Sequence, residues 1–406
     1  MRLQLFLIAM LVTVPPAIAQ ESLRPDVPVA IVGGMLLDGY EAAPIHHSVV
    51  VFENGRITAV GQKHDTEIPD NAVVIDAGGR TVMPGLIDAH MHIDLIGHGS
   101  YEDYYKLIGD MDNIGRFMQI AAKQMIRAGV TSGLDLGAPF QAFDFRERVR
   151  RGEIPGPRLT LSGPWITRVD YDTVPDEYEI VIDSPRDAAQ KTRELIDRGV
   201  DVIKVWVGLT EDDYRAVVEE ANKAGVRVHA HLYDPEAIRM AIDTGVHVFQ
   251  HVGSARNPPY DDALLSEIAH RNIPIVQTIA HRIWVYPATV AFPEKLYDPV
   301  YRDDMPADVY ESFIASFDNY HRLSYYQDIG QETRNSRISA KQFIEAGAYM
   351  GVGTDAASPL NMHDQAMWRE MSALVDSGMT PIQVISAATK TNAEILGQFD
   401  ELGTIE

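Results

Sequence analysis

The chain places its chemically versatile residues at the ends of apolar runs. In Leu86-Ile87-Asp88-Ala89-His90-Met91-His92, the two-residue period of an extended strand puts Asp88, His90 and His92 on one face. Two imidazoles so spaced can grip one metal ion. Lys204 lies inside Val202-Ile203-Lys204-Val205-Trp206-Val207, where an ammonium is costly to bury unless it is paired or chemically altered. Val228-His229-Ala230-His231 again sets two imidazoles on one face, Phe249-Gln250-His251 ends in another, and Gly353-Thr354-Asp355 ends in a carboxylate. Singly, each has an ordinary explanation. A strand-end histidine is usually a satisfied structural residue, a lysine in an apolar run usually snorkels or pairs, and Asp355 could cap the helix after it. Together they form a nitrogen and oxygen donor set that suits zinc and similar divalent ions. The chain contains no cysteine, which excludes thiolate ligands, disulfides and cysteine nucleophiles.

These residues need a scaffold that brings several strand ends together. Eight apolar strand-like runs fall at 82–92, 130–136, 158–162, 201–207, 226–232, 246–251, 273–278 and 349–354. Most are separated by amphipathic stretches such as 114–128, 185–198, 211–224 and 235–243. Alternating strands and helices predict a parallel sheet, and eight such units predict an α/β fold of the closed (β/α)8, or TIM-barrel, type. Barrel enzymes place their active sites at the C-terminal strand ends, where the polar residues lie. Upstream, residues 29–32, 48–52, 56–60 and 72–76, with turns at Asn54-Gly55 and Gly78-Gly79, read as a small antiparallel β unit. Residues 284–341 read as an insertion between the seventh and eighth units, forming a lid or pocket wall. Its Trp284, Tyr286, Tyr297, Tyr301, Tyr310, Tyr320, Tyr325 and Tyr326 point to an aromatic or bulky acyl group, although surface tyrosines of a lid fit the pattern equally.

With 46% hydrophobic and 23% charged residues the chain fits a folded protein rather than a disordered one. Its formal charge of −23 repels phosphate backbones and anionic lipid, which argues against nucleic-acid and membrane partners. Met1-Arg2, an apolar run from Leu5 to Val14 and the ending Ala17-Ile18-Ala19 together read as a secretory signal peptide over residues 1–19, cleaved near Ala19-Gln20. That run is shorter than the roughly 20 residues needed to span a bilayer. The expected location is a bacterial periplasm or the exterior. Oligomeric state, including a homo-oligomer, is left open by the sequence.

Met83-Pro84-Gly85-Leu86-Ile87-Asp88-Ala89-His90-Met91-His92 resembles the signature of the amidohydrolase superfamily. Gly129-Val130-Thr131-Ser132, Val228-His229-Ala230-His231, Gln250-His251-Val252-Gly253 and Gly353-Thr354-Asp355-Ala356 also match it. Within the superfamily the chain is similar to the imidazolonepropionase-related branch of Xaa-Pro dipeptidases, other metal-dependent dipeptidases and ochratoxinase-like amidases. The resemblance runs from about Val29 to the end. It implies a binuclear site on the barrel, with a β-sandwich built from both chain ends. The corresponding domains are residues 20–81 for the sandwich, 82–395 for the barrel and 396–406 for the return to the sandwich. Relatives continue beyond the position of Glu406, so the expectation is either that the sequence stops short there or that the sandwich lacks its C-terminal part.

Carried over residue by residue, the resemblance implies that His90 and His92 bind the first ion and that His229 and His251 bind the second. Lys204, carboxylated by carbon dioxide, would bridge both, and Asp355 would bind the first ion and handle the proton. The strand pattern alone does not choose between His229 and His231. With His229 as ligand, His231 becomes a substrate or transition-state contact and Tyr233 a holder of a substrate carboxylate. Where relatives often carry Gly-Gly-His, this chain runs Ser162-Gly163-Pro164 into Trp165-Ile166-Thr167-Arg168, so Arg168 is the expected replacement substrate contact. The implied reaction is hydrolysis of a peptide or N-acyl amino acid bond by a hydroxide shared between two divalent ions, zinc by default. Cyclic amide or lactone hydrolysis, and a non-catalytic binding protein that kept the fold, are the competing readings.

Overall fold

The computed structural model describes residues 26–109, 111–253, 258–318 and 324–406. The leader read over residues 1–19, Tyr320 and the Tyr325 side chain lie outside them. The chain divides into two units, one of residues before 39 with 42–84 and 404–406, the other of 39–41 with 85–403.

The first unit contains β1 (Val29–Val32), β2 (Met35–Leu36), β3 (Ser48–Glu53), β4 (Arg56–Gln62), β5 (Val73–Asp76) and β6 (Thr81–Val82). Asn54 and Gly55, at φ of 51° and 74°, make the tight turn of the β3–β4 hairpin, where two left-handed residues match the twist of the strands. The sheet order is β4-β3-β1-β5, and β2 pairs separately with β6. The antiparallel expectation holds for β1 with β3 and for β3 with β4, but β5 runs parallel to β1. A tight turn forces antiparallel pairing; the longer connection from β4 to β5 does not. Ala30, Val32, Val49 and Val51 form the apolar cluster of this unit. Ile405 donates its backbone N–H to the Asp38 carbonyl at 2.9 Å, which ties residues 404–406 to it.

The second unit is the barrel. Its strands are β7 (Leu86–Met91), β8 (Val130–Asp135), β9 (Arg158–Leu161), β10 (Trp165–Thr167), β11 (Glu179–Val181), β12 (Val202–Val205), β13 (Arg227–His231), β14 (Val248–Gln250), β15 (Ile275–Val276) and β16 (Met350–Gly351). All pair in parallel, in the orders β7-β8-β9 and β11-β10-β12-β13-β14-β15-β16. Two seams complete the ring. Asp201 N–H reaches the Leu161 carbonyl at 2.9 Å, and Ala89 N–H reaches the Val352 carbonyl at 3.0 Å beside a Met91–Ala356 bridge.

Each of the eight expected runs contains a strand, shorter than the run itself. Several stop where the backbone turns out of the ladder: His251, Thr278 and Asp355 have φ of 59°, 54° and 57°. The third run also continues past Gly163 (φ 66°) and Pro164 as β10, with β11 added at its edge. A proline without an N–H and a left-handed glycine interrupt the ladder there without ending it. The helices sit where the patterns place them because their ends are capped. Ser184 caps Pro185–Asp197, a Thr210/Asp213 capping box opens Glu211–Ala224, and Asp234 caps Pro235–Thr244.

The described part of 284–341 is helical, over Tyr286–Ala291, Pro293–Tyr297, Pro299–Asp304, Ala307–Ala315 and the start of Ile329–Glu345. Tyr286, Tyr301 and Tyr326 are buried, while Tyr297 is exposed. Three of the tyrosines read as a wall are therefore interior residues. No described helix is long and apolar enough to cross a membrane.

Candidate active site

His90 and His92 leave β7 toward Asp355, just beyond β16. Their Nε2 atoms lie 3.6 and 3.4 Å from Asp355 Oδ1, and one ligand atom from each of the three residues falls within 4.8 Å of the others. The backbone sets this arrangement. Thr354 and Asp355 both donate N–H groups to the His90 carbonyl, at 3.0 and 2.8 Å. The buried Asp88 carboxylate accepts from Thr354 N–H (3.1 Å), Thr354 Oγ1 (2.6 Å) and His90 N–H (3.1 Å). A Cβ at Gly353 would stand 2.8 Å from the His90 Cβ and 2.5 Å from Val276 Cγ1, so only glycine allows so close an approach. Burial pushes the Asp88 carboxyl up to about 7 against its hydrogen bonds to Thr354. Burial would also raise Asp355, but the His92 hydrogen bond and the neighbouring imidazoles hold it well below the usual carboxylate range.

Lys204 and His229 face each other across β12 and β13, as partners in the parallel register. Lys204 is buried, its Nζ has no hydrogen-bond partner among the described residues, and burial lowers its pKa to about 7 against the pull of Asp355. His229 is also buried, and its Nε2 likewise has no partner. His251 packs its ring 4.1 Å from that of His90 and sets Nδ1 2.8 Å from Thr278 Oγ1. Left-handed backbone at His251 and at the β-branched Thr278 carries strain on the order of 1–3 kcal/mol each, of the kind that persists at functional sites. Burial, followed by the charge of Lys204, depresses His90 and His229, and burial followed by the charge of His90 depresses His251. All three imidazoles are thus neutral near pH 7, the form in which a ring nitrogen can bind a cation.

His231 is less buried than His229 and stands between two rings, 4.8 Å from His251 and 4.5 Å from Tyr233. The Tyr233 hydroxyl accepts from Arg282 Nη2 at 3.1 Å. Arg168, the expected replacement substrate contact, is engaged within the protein. Its Nε and Nη2 form a two-pronged pair with the buried Asp213 at 2.7 and 2.8 Å, and Nη1 donates to the Asp183 carbonyl at 2.8 Å. A guanidinium so committed holds the loop to the Asp213 capping box and is not an open anion receptor.

Two neighbours escaped the sequence reading. His281, at the start of His281–Val285, is buried with Nε2 3.9 Å from Asp355 Oδ2. The two residues before it are held by Glu370, which accepts the N–H groups of Ile279 and Ala280 at 2.8 and 2.7 Å. The signal was a histidine just past the seventh run. Gln250, an amide within a buried strand, bridges His90 and His229.

Residues 81–406 match the profile of the Amidohydrolase family. The chain belongs to that family. Among its members, ochratoxinase of Aspergillus niger is 24% identical over 407 residues, spanning 88% of this chain and 74% of the relative. A solved structure from Bifidobacterium longum, provisionally assigned as a prolidase, superposes with a TM-score of 0.70 and 26% identity over 94% of this chain and 86% of that one. The 5'-deoxyadenosine deaminase of Methanosarcina barkeri is 25% identical over 244 residues, which are 52% of this chain; the chain spans about half the length of that relative. As a member of that family the chain has the α/β barrel fold.

The donor set fits divalent ions. His90, His92 and Asp355 already converge, two neutral imidazoles stand beside them, and Lys204 Nζ and His229 Nε2 are buried polar atoms without a hydrogen-bond partner among the described residues.

Proposed function

We propose that this amidohydrolase cleaves the amide bond of a dipeptide or N-acyl amino acid in an exported compartment, using two divalent ions, zinc by default. The convergence of His90, His92 and Asp355 beside the unpartnered Lys204 carries the reading. His90, His92 and Asp355 would hold one ion and His229 and His251 the other, with a carbamate on Lys204 shared between them. A nitrogen held near pKa 7 is substantially unprotonated at neutral pH, as addition to carbon dioxide requires. When bound, the ions would polarise the scissile carbonyl and acidify water.

The chain's own residues do the rest. Asp355, kept ionised by the imidazoles around it, takes a proton from the attacking water and passes it to the leaving amine. His231 presents its ring beside Tyr233 and His251 to the substrate. Tyr233, supported by the buried Arg282, offers a hydroxyl to the carboxylate of an amino-acid product.

Hydrolytic deamination is the second reading, favoured by the match to the Methanosarcina deaminase. It leaves Lys204 without a role. Protein lacking residues 1–19, supplied with zinc and bicarbonate, is to be assayed for amino-acid release from N-acyl amino acids and dipeptides, Xaa-Pro included. Release abolished by a chelator is expected. Ammonia from adenosine-type substrates with no amino-acid release would overturn the amidase reading, and silence with two bound ions would turn it to cyclic amides or lactones.

A further inference from the structure

The Gln250 side chain lies between two imidazoles read as ligands of different ions. His90 Nδ1 is 2.8 Å from Gln250 Oε1, and His229 Nδ1 is 3.0 Å from Gln250 Nε2. The same amide nitrogen is 3.4 Å from the Ala89 carbonyl, and all four residues are buried. A carboxamide is asymmetric, because its oxygen only accepts and its nitrogen only donates. The Ala89 carbonyl also only accepts, so it selects the orientation with nitrogen toward Ala89 and His229 and oxygen toward His90.

The tautomers follow from that orientation. His90 donates from Nδ1, which leaves the lone pair on Nε2, the atom 3.6 Å from Asp355. His229 accepts at Nδ1, so the single proton of its neutral ring sits on Nε2, a buried atom without a partner among the described residues. A protonated ring nitrogen has no lone pair for a cation. We propose that Gln250 is a positioning residue that presents His90 ready to bind and holds His229 in the non-binding tautomer, so that the two ions enter in a fixed order with unequal affinity. To bind the second ion, His229 must move its proton from Nε2 to Nδ1, where it faces the Gln250 N–H donor, so that hydrogen bond is lost while His90 keeps its own. This rests on the two-ion reading given above. It also specifies a substitution. In Gln250→Glu both oxygens accept, both imidazoles donate from Nδ1, and both expose Nε2 lone pairs in the carboxylate–histidine–metal arrangement.

Two measurements on the full chain without residues 1–19 test this. In calorimetric titration of metal-free protein with Zn2+ in bicarbonate buffer, the wild type is expected to bind two ions with affinities separated by about 100-fold. Gln250→Glu is expected to tighten the weaker step about 10–100-fold, the range set by partners of ligating histidines. Equal affinities in the wild type, or an unchanged separation in a folded Gln250→Glu, overturn the proposal. Independently, 15N-detected histidine tautomers of the metal-free wild type are expected to show the proton on Nδ1 of His90 and on Nε2 of His229. The same tautomer at both positions overturns the proposal even if Gln250→Glu does not fold. Should only one ion bind while the tautomers are as expected, the two-ion reading fails and the role of Gln250 in setting the tautomers stands.

Discussion

Lys204 and His229 are direct neighbours across two parallel strands, and neither the Nζ of the first nor the Nε2 of the second has a hydrogen-bond partner among the described residues. Two uncompensated polar atoms side by side in a barrel interior are a standing cost of folding, on the order of 1–3 kcal/mol each. Such a cost persists where the atoms are kept for a ligand.

Replacing Lys204 by Ala should remove the second ion and most turnover. Elemental analysis is expected to fall from two ions per chain to one or fewer, with partial recovery of both ions and rate when short carboxylic acids are added. A variant that holds two ions without added acid would rule out the bridging carbamate.

Asp355→Asn should retain most of the metal, since an amide oxygen remains a donor, yet lose the proton relay. Turnover is expected to drop about 10²–10⁴-fold, the usual weight of a general acid–base. Steady-state rates read against metal content decide it, and a near-normal rate would remove Asp355 from the chemistry.

The depressed Lys204 gives a pH signature. Its folded pKa is about 7 against an ordinary 10.5, so between those values the unfolded chain binds more protons than the folded one. Stability must then rise with pH across that window and carry the full penalty below it. Urea midpoints of metal-free protein in carbon dioxide-free buffer should climb from pH 7 toward 9.5, and Lys204→Met should flatten that slope.

Arg168→Ala should cost stability rather than catalysis. It leaves the fully buried Asp213 without its two-pronged partner. The loss is expected at about 2–4 kcal/mol, somewhat under that of a fully buried pair because the arginine is about a quarter exposed. Denaturation and KM measured together separate the two roles, and a tenfold rise in KM with unchanged stability would restore Arg168 to the substrate.

Tyr233→Phe should raise KM about tenfold for substrates ending in a free carboxylate, the loss of one charge-assisted hydrogen bond, and leave kcat nearly unchanged. Substrates capped as amides should not distinguish the variant from wild type, and equal KM changes for both would place Tyr233 elsewhere.

The legible parts of this molecule were those with a local signature. The period of two around His90 and His92 and the capped helices 185–197, 211–224 and 235–244 are written in neighbouring residues, and the structure places them accordingly. What the sequence hid depends on contacts across the fold. Arg168 looked available because Asp213, its partner, lies 45 positions away. Gln250 looked like filler beside His251 because its value lies in touching His90, 160 positions distant, and His229. The parallel placement of β5 was invisible for a similar reason, since strand direction after a long connection is decided by packing rather than by a turn.

The bond from Thr354 to Asp88 spans 266 positions of sequence and sits on the seam where the last strand meets the first. A ribosome releases His90 and His92 long before Asp355 emerges, so a growing chain offers two nitrogens but no complete cradle. Contacts of such span form late, because the entropy of joining distant segments must be overcome before they repay it. Capture of an ion by all three residues would then have to wait for the ring to close. An ion held by His90, His92 and Asp355 would join the first and last strands of the barrel and favour the closed ring by mass action.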